Sequence, residues 1–281
     1  MNGDTRLVLV DCDDESGLIH RITGVLLAAG CNIVSNQEYV DVASRRFVMR
    51  TEFVGDAAPE ALADDLVRRL PRGAHVRLAA PGARTVVILA TKEAHCLGDL
   101  LLRHEEGDLP ARIAAVVSNH ATLGRLVERF GVPFHHVGHE GLGREEHERA
   151  VLAALEPYAP DYLVLAKYMR VLTPAFVARY PGRIINIHHS FLPAFVGARP
   201  YHQAFARGVK LIGATAHVVT DDLDTGPIIA QDVIPVTHAH TAADMARAGR
   251  DVEKVVLARG LRLLLEERVF LRESRAVVFE G

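Results

Sequence analysis

Short apolar runs alternate with helical segments through most of this chain, and that alternation limits the folds that it can adopt. Four of the runs are Val86 to Ala90, Ile113 to Ser118, Tyr162 to Ala166 and Ile184 to Ile187. Near-continuous apolar strands are typical of parallel sheets covered on both faces, so the pattern predicts an α/β fold with a mostly parallel, Rossmann-like sheet. Thr241, three residues before Asp244, predicts the start of a long helix toward Glu266.

The first 80 residues follow a different plan. The predicted elements are a strand at 6–10, a helix capped by Ser16, strands at 32–42 and 45–54, a helix at 60–70 and a strand at 74–78. This order, βαββαβ, is that of a ferredoxin-like domain. The segment from Ala79 to Ala83 contains the Pro-Gly pair of a loop. We therefore predict a first domain at 1–80, a linker at 81–84 and a second domain at 85–281.

The composition argues against a membrane protein or a chain built mainly to bind nucleic acid. Hydrophobic residues make up 49% of the 281 residues, charged residues make up 24%, and the formal net charge is -3. No apolar stretch reaches the roughly 18 residues of a membrane span, and the first residues lack the pattern of a signal peptide. Cys12, Cys31 and Cys96 show neither disulfide nor metal-site spacing. We expect a cytoplasmic protein with reduced cysteines.

Polar residues follow two of the apolar runs at the point where each run ends. Asn186 and His188 lie in the segment that leads to Pro193, and Asp224 follows 31 residues later in an acidic loop. Residues two apart on a strand point to one side, and ligands in open α/β sheets sit beyond the carboxyl ends of strands. An amide, an imidazole and a carboxylate in such a place can polarise a carbonyl, stabilise an oxyanion and move protons.

These residues carry a resemblance to a known superfamily. Asn-x-His, the turn Phe191-Leu192-Pro193 and the later Leu223-Asp224-x-Gly226-Pro227 are similar to the formyltransferases and hydrolases that use formyltetrahydrofolate. The resemblance implies a formyltransferase fold for the second domain, with Asn186, His188 and Asp224 as catalytic residues and His189 and His217 in support. It also implies that folate is bound by Arg170, Val171, Leu172, Thr220, Asp221 and Asp222.

Two loops distinguish among the members of that superfamily. The loop Thr91 to Gly98 has no glycine before Gly98 and carries Glu93, so it does not resemble the phosphate cradle of glycinamide ribonucleotide formyltransferases. Methionyl-tRNA formyltransferases add a carboxy-terminal RNA-binding domain, whereas this sequence stops soon after its long helix. The first domain together with Lys92 to Leu101 resembles the formyltetrahydrofolate deformylases. That family hydrolyses 10-formyltetrahydrofolate to tetrahydrofolate and formate, supplies formate for purine biosynthesis, and uses folate as substrate without a cofactor.

The first domain resembles the ACT family of amino-acid-sensing domains. The matching features are the polar turn that ends in Gly17 and the helix-to-strand junction Gly30 to Val34. The resemblance implies a homo-oligomer and an effector, glycine or methionine, bound at Gly17, Asn32 and Ile33. The alternative is that Gly17 and Gly30 only meet the geometry of a turn and a helix end.

Two other functions stay open at this point. One is a formyltransferase that acts on an unidentified amine, and the other is a non-catalytic amino-acid sensor. A metal enzyme is not expected, although the chain has 15 histidines, because no His-Glu-x-x-His or cysteine-pair spacing occurs. We expect a small-molecule folate substrate and no metal, nucleic acid or membrane among the partners.

Overall fold

The computed structural model describes residues 5–80, 82–194 and 200–280. These residues form two units that meet in sequence between Gly82 and Ala83. That point falls inside the predicted linker 81–84, of which Pro81 lies outside the described residues. Within the described part of the chain, no helix is both long and apolar enough to cross a membrane.

The first unit has the predicted element order. Its elements are β1 (Arg6–Asp13), α1 (Leu18–Ala28), β2 (Asn32–Asp41), β3 (Arg46–Val54), α2 (Pro59–Arg69) and β4 (His75–Ala79). The strands form an antiparallel sheet in the order β2-β3-β1-β4. Ile22 and Leu26 of α1 and Leu62 and Leu66 of α2 are buried in the core that the two helices share with the sheet. The unit is the ferredoxin-like domain that the sequence predicts.

The helix α1 begins one residue later than expected, and the prediction that Ser16 caps it is wrong. Gly17 occupies the N-cap position with φ of 87°, and no side chain caps the helix. The Gly17 carbonyl accepts a hydrogen bond from the backbone N–H of Arg21 at 3.0 Å. Glycine has no Cβ to clash in a left-handed backbone, so it provides the turn into α1 that a serine would adopt only with strain.

The second unit contains an open sheet with helices around it. Its strands are β5 (Arg84–Ala90), β6 (Ala111–Ser118), β7 (Phe134–His136), β8 (Tyr162–Ala166), β9 (Ile184–His188), β10 (Leu211–Val218) and β11 (Ile228–Pro235), followed by a hairpin of β12 (Val269–Arg272) and β13 (Arg275–Val278). The sheet order is β11-β10-β9-β8-β5-β6-β7, and the pairs from β9 to β7 are parallel. The predicted α/β fold with a mostly parallel sheet is confirmed.

The helices of this unit cover the sheet. They are α3 (His95–Glu105), α4 (Gly124–Glu128), α5 (Arg144–Leu155), α6 (Pro174–Val177), α7 (Pro200–Arg207) and α8 (Ala242–Leu265). The predicted start of α8 is confirmed: the Thr241 hydroxyl accepts from the Asp244 N–H at 3.2 Å, and the Asp244 carboxylate accepts from the Thr241 N–H at 2.9 Å. Gly260 lets α8 approach β10 closely, since a Cβ there would lie 2.9 Å from the Cβ of Ala216.

Candidate active site

A pocket lies beyond the carboxyl ends of β8 and β9. It has a volume of about 410 Å³ and is lined by parts of three segments, 165–172, 186–189 and 217–224. Ligands bind at this edge in open α/β sheets. All the residues predicted as catalytic, folate-binding or supporting line this one cavity, so the structure brings together groups that are up to 54 positions apart in sequence, from Arg170 to Asp224.

Asp224 reaches the pocket by a route that the sequence did not reveal. The strand β10 is antiparallel to β9, with His217 opposite Asn186, so the carboxyl end of β10 does not share an edge with that of β9. The chain therefore has to fold back after β10. The Val218 N–H donates to the Pro227 carbonyl at 2.9 Å and closes the loop between them, in which Asp224 has a φ of 56°.

His217 orients the amide of Asn186. Nδ1 of His217 donates to the carbonyl oxygen of Val218 at 3.1 Å, and in this tautomer, with one proton on the ring, Nε2 is an acceptor. Nδ2 of Asn186 lies 3.2 Å from that Nε2 and donates to it. The second N–H of the amide then remains for a ligand in the pocket, which is the requirement for binding an oxyanion. This geometry fits the supporting role predicted for His217.

His188 and Asp224 form a hydrogen-bonded pair at the same wall of the pocket. Nδ1 of His188, a residue only 5% exposed, lies 3.2 Å from Oδ2 of Asp224. Burial opposes ionisation of Asp224, but the hydrogen bond from His188 Nδ1 holds its pKa well below the usual range. The ionised carboxylate keeps a proton on Nδ1 of His188. Nε2 of that ring is buried and has no hydrogen-bond partner among the described residues, so its hydrogen-bonding capacity is not used by them.

His189 lies beside His188 in the pocket wall and is neutral at pH 7. The two rings stack with their centroids 5.2 Å apart and their planes at 27°. Burial and, next in size, the positive charge of Lys167 lower the pKa of His189 from 6.5 to about 4. A neutral His189 adds no positive charge next to His188.

The predicted folate-binding residues come from the two segments that follow β8 and β10. They are Arg170, Val171 and Leu172 in the first segment and Thr220, Asp221 and Asp222 in the second. Apolar side chains in these segments are exposed, with Met169 at 60% and Leu223 at 59%. Hydroxyls of Thr220 and Thr225 donate to the Asp222 carbonyl at 3.3 and 3.2 Å and shape the second segment. Exposed apolar groups beside polar ones suit a flat heteroaromatic ligand.

Sequence reasoning missed a buried carboxylate cluster beside the pocket, formed by Glu253, His95, Tyr201 and Lys167. Glu253 is 1% exposed and accepts hydrogen bonds from His95 Nε2 and the Tyr201 hydroxyl, both at 2.7 Å. The Lys167 ammonium lies 3.2 Å from the same carboxylate. Burial opposes ionisation of Glu253, but these partners lower its pKa to about 2. The sequence does carry one signal of this cluster: Glu253 is a charged residue on the apolar face of α8.

His95, Cys96 and Glu253 have ligand atoms within 4.8 Å of one another, a spacing that a metal site would also show. The chemistry of the cluster does not suit a metal ion. The Lys167 ammonium already forms an ion pair with the Glu253 carboxylate. Burial raises the pKa of the Cys96 thiol, whereas a cysteine binds a metal ion as the thiolate. The expectation of no metal stays a prediction.

The predicted effector residues lie in the first unit and do not meet within one chain. Gly17 stands at the start of α1, whereas Asn32 and Ile33 begin β2 just after the other end of that helix. At about 1.5 Å per residue, the 11 residues of α1 separate the two positions by roughly 16 Å. A single effector site that contains all three residues would therefore need two copies of the chain.

Comparison with known proteins gives a family for each unit. The formyl transferase family model matches residues 84–261, and the ACT domain model matches residues 6–70. The formyltetrahydrofolate deformylase of Escherichia coli (strain K12) is 58% identical over 267 residues, or 95% of each chain. The formyltetrahydrofolate deformylase of Haemophilus influenzae is 52% identical over 275 residues, which cover 98% of this chain and 99% of that relative.

Solved structures separate the two kinds of relative. A formyltetrahydrofolate deformylase from Pseudomonas syringae pv. tomato str. DC3000 matches with a TM-score of 0.94 at 39% identity and covers 100% of this chain and 96% of that chain. Glycinamide ribonucleotide transformylase 1 from Symbiobacterium toebii matches with a TM-score of 0.68 at 32% identity and covers 70% of this chain and 95% of that chain. The match to the deformylases extends over both units, and this chain therefore belongs to the formyltetrahydrofolate deformylase family.

Proposed function

We propose that this chain hydrolyses 10-formyltetrahydrofolate to tetrahydrofolate and formate. The observation that carries the proposal is the meeting of Asn186, His188 and Asp224 in one pocket, where Nε2 of His188 is buried and unpaired among the described residues. The 58% identity to a named deformylase over 95% of the chain supports the same reaction. In the cell, this reaction supplies formate and balances one-carbon units for purine biosynthesis.

Hydrolysis begins when the oxygen of water forms a bond to the formyl carbon. Nε2 of His188 takes the proton that water loses, and Asp224 stabilises the imidazolium through Nδ1. The carbonyl oxygen becomes an oxyanion, to which the Asn186 amide and the new Nε2–H donate hydrogen bonds. As the bond from carbon to N10 breaks, His188 returns its proton to N10. The products are tetrahydrofolate and formic acid, which loses its proton and leaves as formate.

The two segments that follow β8 and β10 bind the folate. Residues 170–172 and 220–222 line the same cavity as the catalytic residues, so a folate whose pterin binds there has its N10-formyl group next to Asn186 and His188. Exposed Met169 and Leu223 offer apolar contact to the ring. No cofactor enters this scheme, because each proton and each oxyanion contact is assigned to a side chain of the pocket.

The first unit regulates the reaction by binding a small amino acid, glycine or methionine by family analogy. The ACT model covers residues 6–70, and the predicted contacts are at Gly17, Asn32 and Ile33. Because these residues lie at opposite ends of α1, the effector binds between two copies of the chain. A homo-oligomer in the cytoplasm is the expected form of the enzyme.

Formate release without an acceptor is the test of this proposal. Purified protein is mixed with 10-formyltetrahydrofolate alone, and formate and tetrahydrofolate are measured together. Equal and steady production of both is expected, with the same rate after treatment with EDTA. Formate that appears only when an amine is supplied, or formylated amine in place of formate, would show a transferase. No turnover under any of these conditions would show a sensor.

A further inference from the structure

Lys167 combines three features that are uncommon in one lysine. It follows β8 with a φ of 60°, a left-handed conformation that strains any residue with a Cβ. It is only 5% exposed, and it lines the same cavity as Asn186, His188 and Asp224. Strained residues persist where their surroundings hold them and often mark functional sites. Asp224, with φ of 56°, is a second such residue in this pocket.

Glu253 holds the ammonium of Lys167 in place. The Glu253 carboxylate is itself fixed by His95 and by Tyr201, and Lys167 Nζ lies 3.2 Å from its Oε2. Gly249 makes room for this arrangement, because a Cβ at that position would lie 2.0 Å from the Tyr201 hydroxyl oxygen. Glu253 is thus a positioning residue, because its ion pair fixes the Lys167 ammonium at the pocket wall.

The Lys167 ammonium has hydrogen-bonding capacity left for a ligand. It carries three N–H donors, and across residues 5–80, 82–194 and 200–280 its polar side-chain contact is the Glu253 carboxylate. Its charge also acts on His189, whose pKa it helps to lower to about 4. Since His189 stacks on His188, the ammonium stands close to the groups that perform the chemistry.

We propose that Lys167 selects water rather than an amine as the nucleophile of this pocket. Its fixed ammonium donates hydrogen bonds to water and to the departing formate, both of which are acceptors. It repels alkylammonium ions, the form that most amines take at neutral pH. The proposal rests on the hydrolysis proposed above and names the residue that keeps the reaction hydrolytic.

The other charges of the pocket make this role necessary. Asp221, Asp222 and Asp224 line the cavity together with Arg170, and three carboxylates attract a protonated amine. Of the Lys167–Glu253 pair, it is the Lys167 ammonium that lines the cavity, so it offsets this attraction locally, where the formyl group reacts. Without Lys167, the acidic loop would concentrate the competing nucleophile.

The test compares hydrolysis with formyl transfer in charge-changing variants. Wild type, K167M and K167R are given 10-formyltetrahydrofolate and glycinamide, and formate and formylglycinamide are measured. For K167M we expect at least a ten-fold lower kcat for hydrolysis, a KM for folate within about three-fold, and at least a ten-fold higher ratio of transfer to hydrolysis. K167R retains the charge and is expected to keep a low ratio. K254M removes a lysine paired with Asp251 at the surface of α8 and should match wild type.

K167G keeps the proposal testable if K167M folds poorly. Glycine adopts the left-handed backbone without strain, and Glu253 keeps its bonds to His95 and Tyr201. Relief of the backbone strain offsets part of the stability lost with the Lys167–Glu253 ion pair, so K167G is expected to fold and to show the same change in product ratio. An unchanged ratio in folded K167M and K167G overturns the role of Lys167. Wild type that releases no formate contradicts the proposed hydrolysis itself, and the role of Lys167 falls with it.

Discussion

The candidate active site and the predicted effector site differ in whether a single chain brings their residues together. Asp224 lies 36 residues after His188 in sequence, yet its half-buried carboxylate is 3.2 Å from the buried ring of His188. Gly17 and Asn32 are only 15 residues apart, yet the length of α1 keeps them roughly 16 Å apart. The predicted catalytic residues therefore meet within one copy of the chain, whereas Gly17 and Asn32 do not.

The largest effect is expected for Asp224→Asn. An amide at this position does not stabilise the His188 imidazolium and disturbs the proton on Nδ1, so kcat for formate release should fall by about 10³–10⁴-fold. The matched control is Asp232→Asn, on an exposed residue of β11, which should keep the wild-type rate. A rate for Asp224→Asn within ten-fold of wild type would remove Asp224 from the chemistry.

Asn186→Ala should have the next largest effect. The change removes one oxyanion donor, and such a loss lowers kcat by about 10²–10³-fold with little change in substrate KM. The measurement is steady-state formate release, together with the melting temperature as a check on folding. If KM rises and kcat stays the same, Asn186 binds folate instead of stabilising the oxyanion.

Sequence reasoning predicted the elements of both regions better than their geometry. Apolar runs gave β5, β6, β8 and β9 within about two residues of the observed bounds, because burial on both faces leaves a continuous pattern. The direction of β10 leaves no such mark, so the fold-back of the loop that carries Asp224 was not predictable. Glu253 was missed for a different reason. Its partners His95, Lys167 and Tyr201 come from separate elements, and only packing brings them together.

Within the pocket, His189 provides a smaller and more specific test. Its pKa falls from 6.5 to about 4 in the folded chain. Between about pH 4 and pH 6.5, His189 is therefore protonated in the unfolded chain and neutral in the folded chain. Its stabilising contribution is complete above pH 6.5 and is lost as the pH falls to about 4, by on the order of 2–3 kcal/mol. His189→Asn should lose less stability over this window in denaturant titrations at several pH values. Parallel pH profiles for the two proteins would contradict a buried neutral His189.

The smallest effect is expected in the first unit. Glycine or methionine should bind and change the rate of formate release by about five-fold or less, and Asn32→Ala should abolish this response without changing the basal rate. Asn36→Ala, on the same strand β2, is the matched control and should keep the response. Calorimetry and sedimentation done together would show whether binding requires two copies. Heat of binding from a monomer would contradict a shared site, and no heat with either amino acid would remove the effector from the account.

The central claim is that water attacks the formyl carbon in the pocket that holds Asn186, His188 and Asp224, and isotope labelling tests it most directly. The reaction is run in ¹⁸O-labelled water without any amine, and the formate is analysed by mass spectrometry. At least one labelled oxygen should enter each formate, and Asp224→Asn should give almost no labelled formate in the same time. Unlabelled formate, or labelled formate at equal rates from both proteins, would contradict the account.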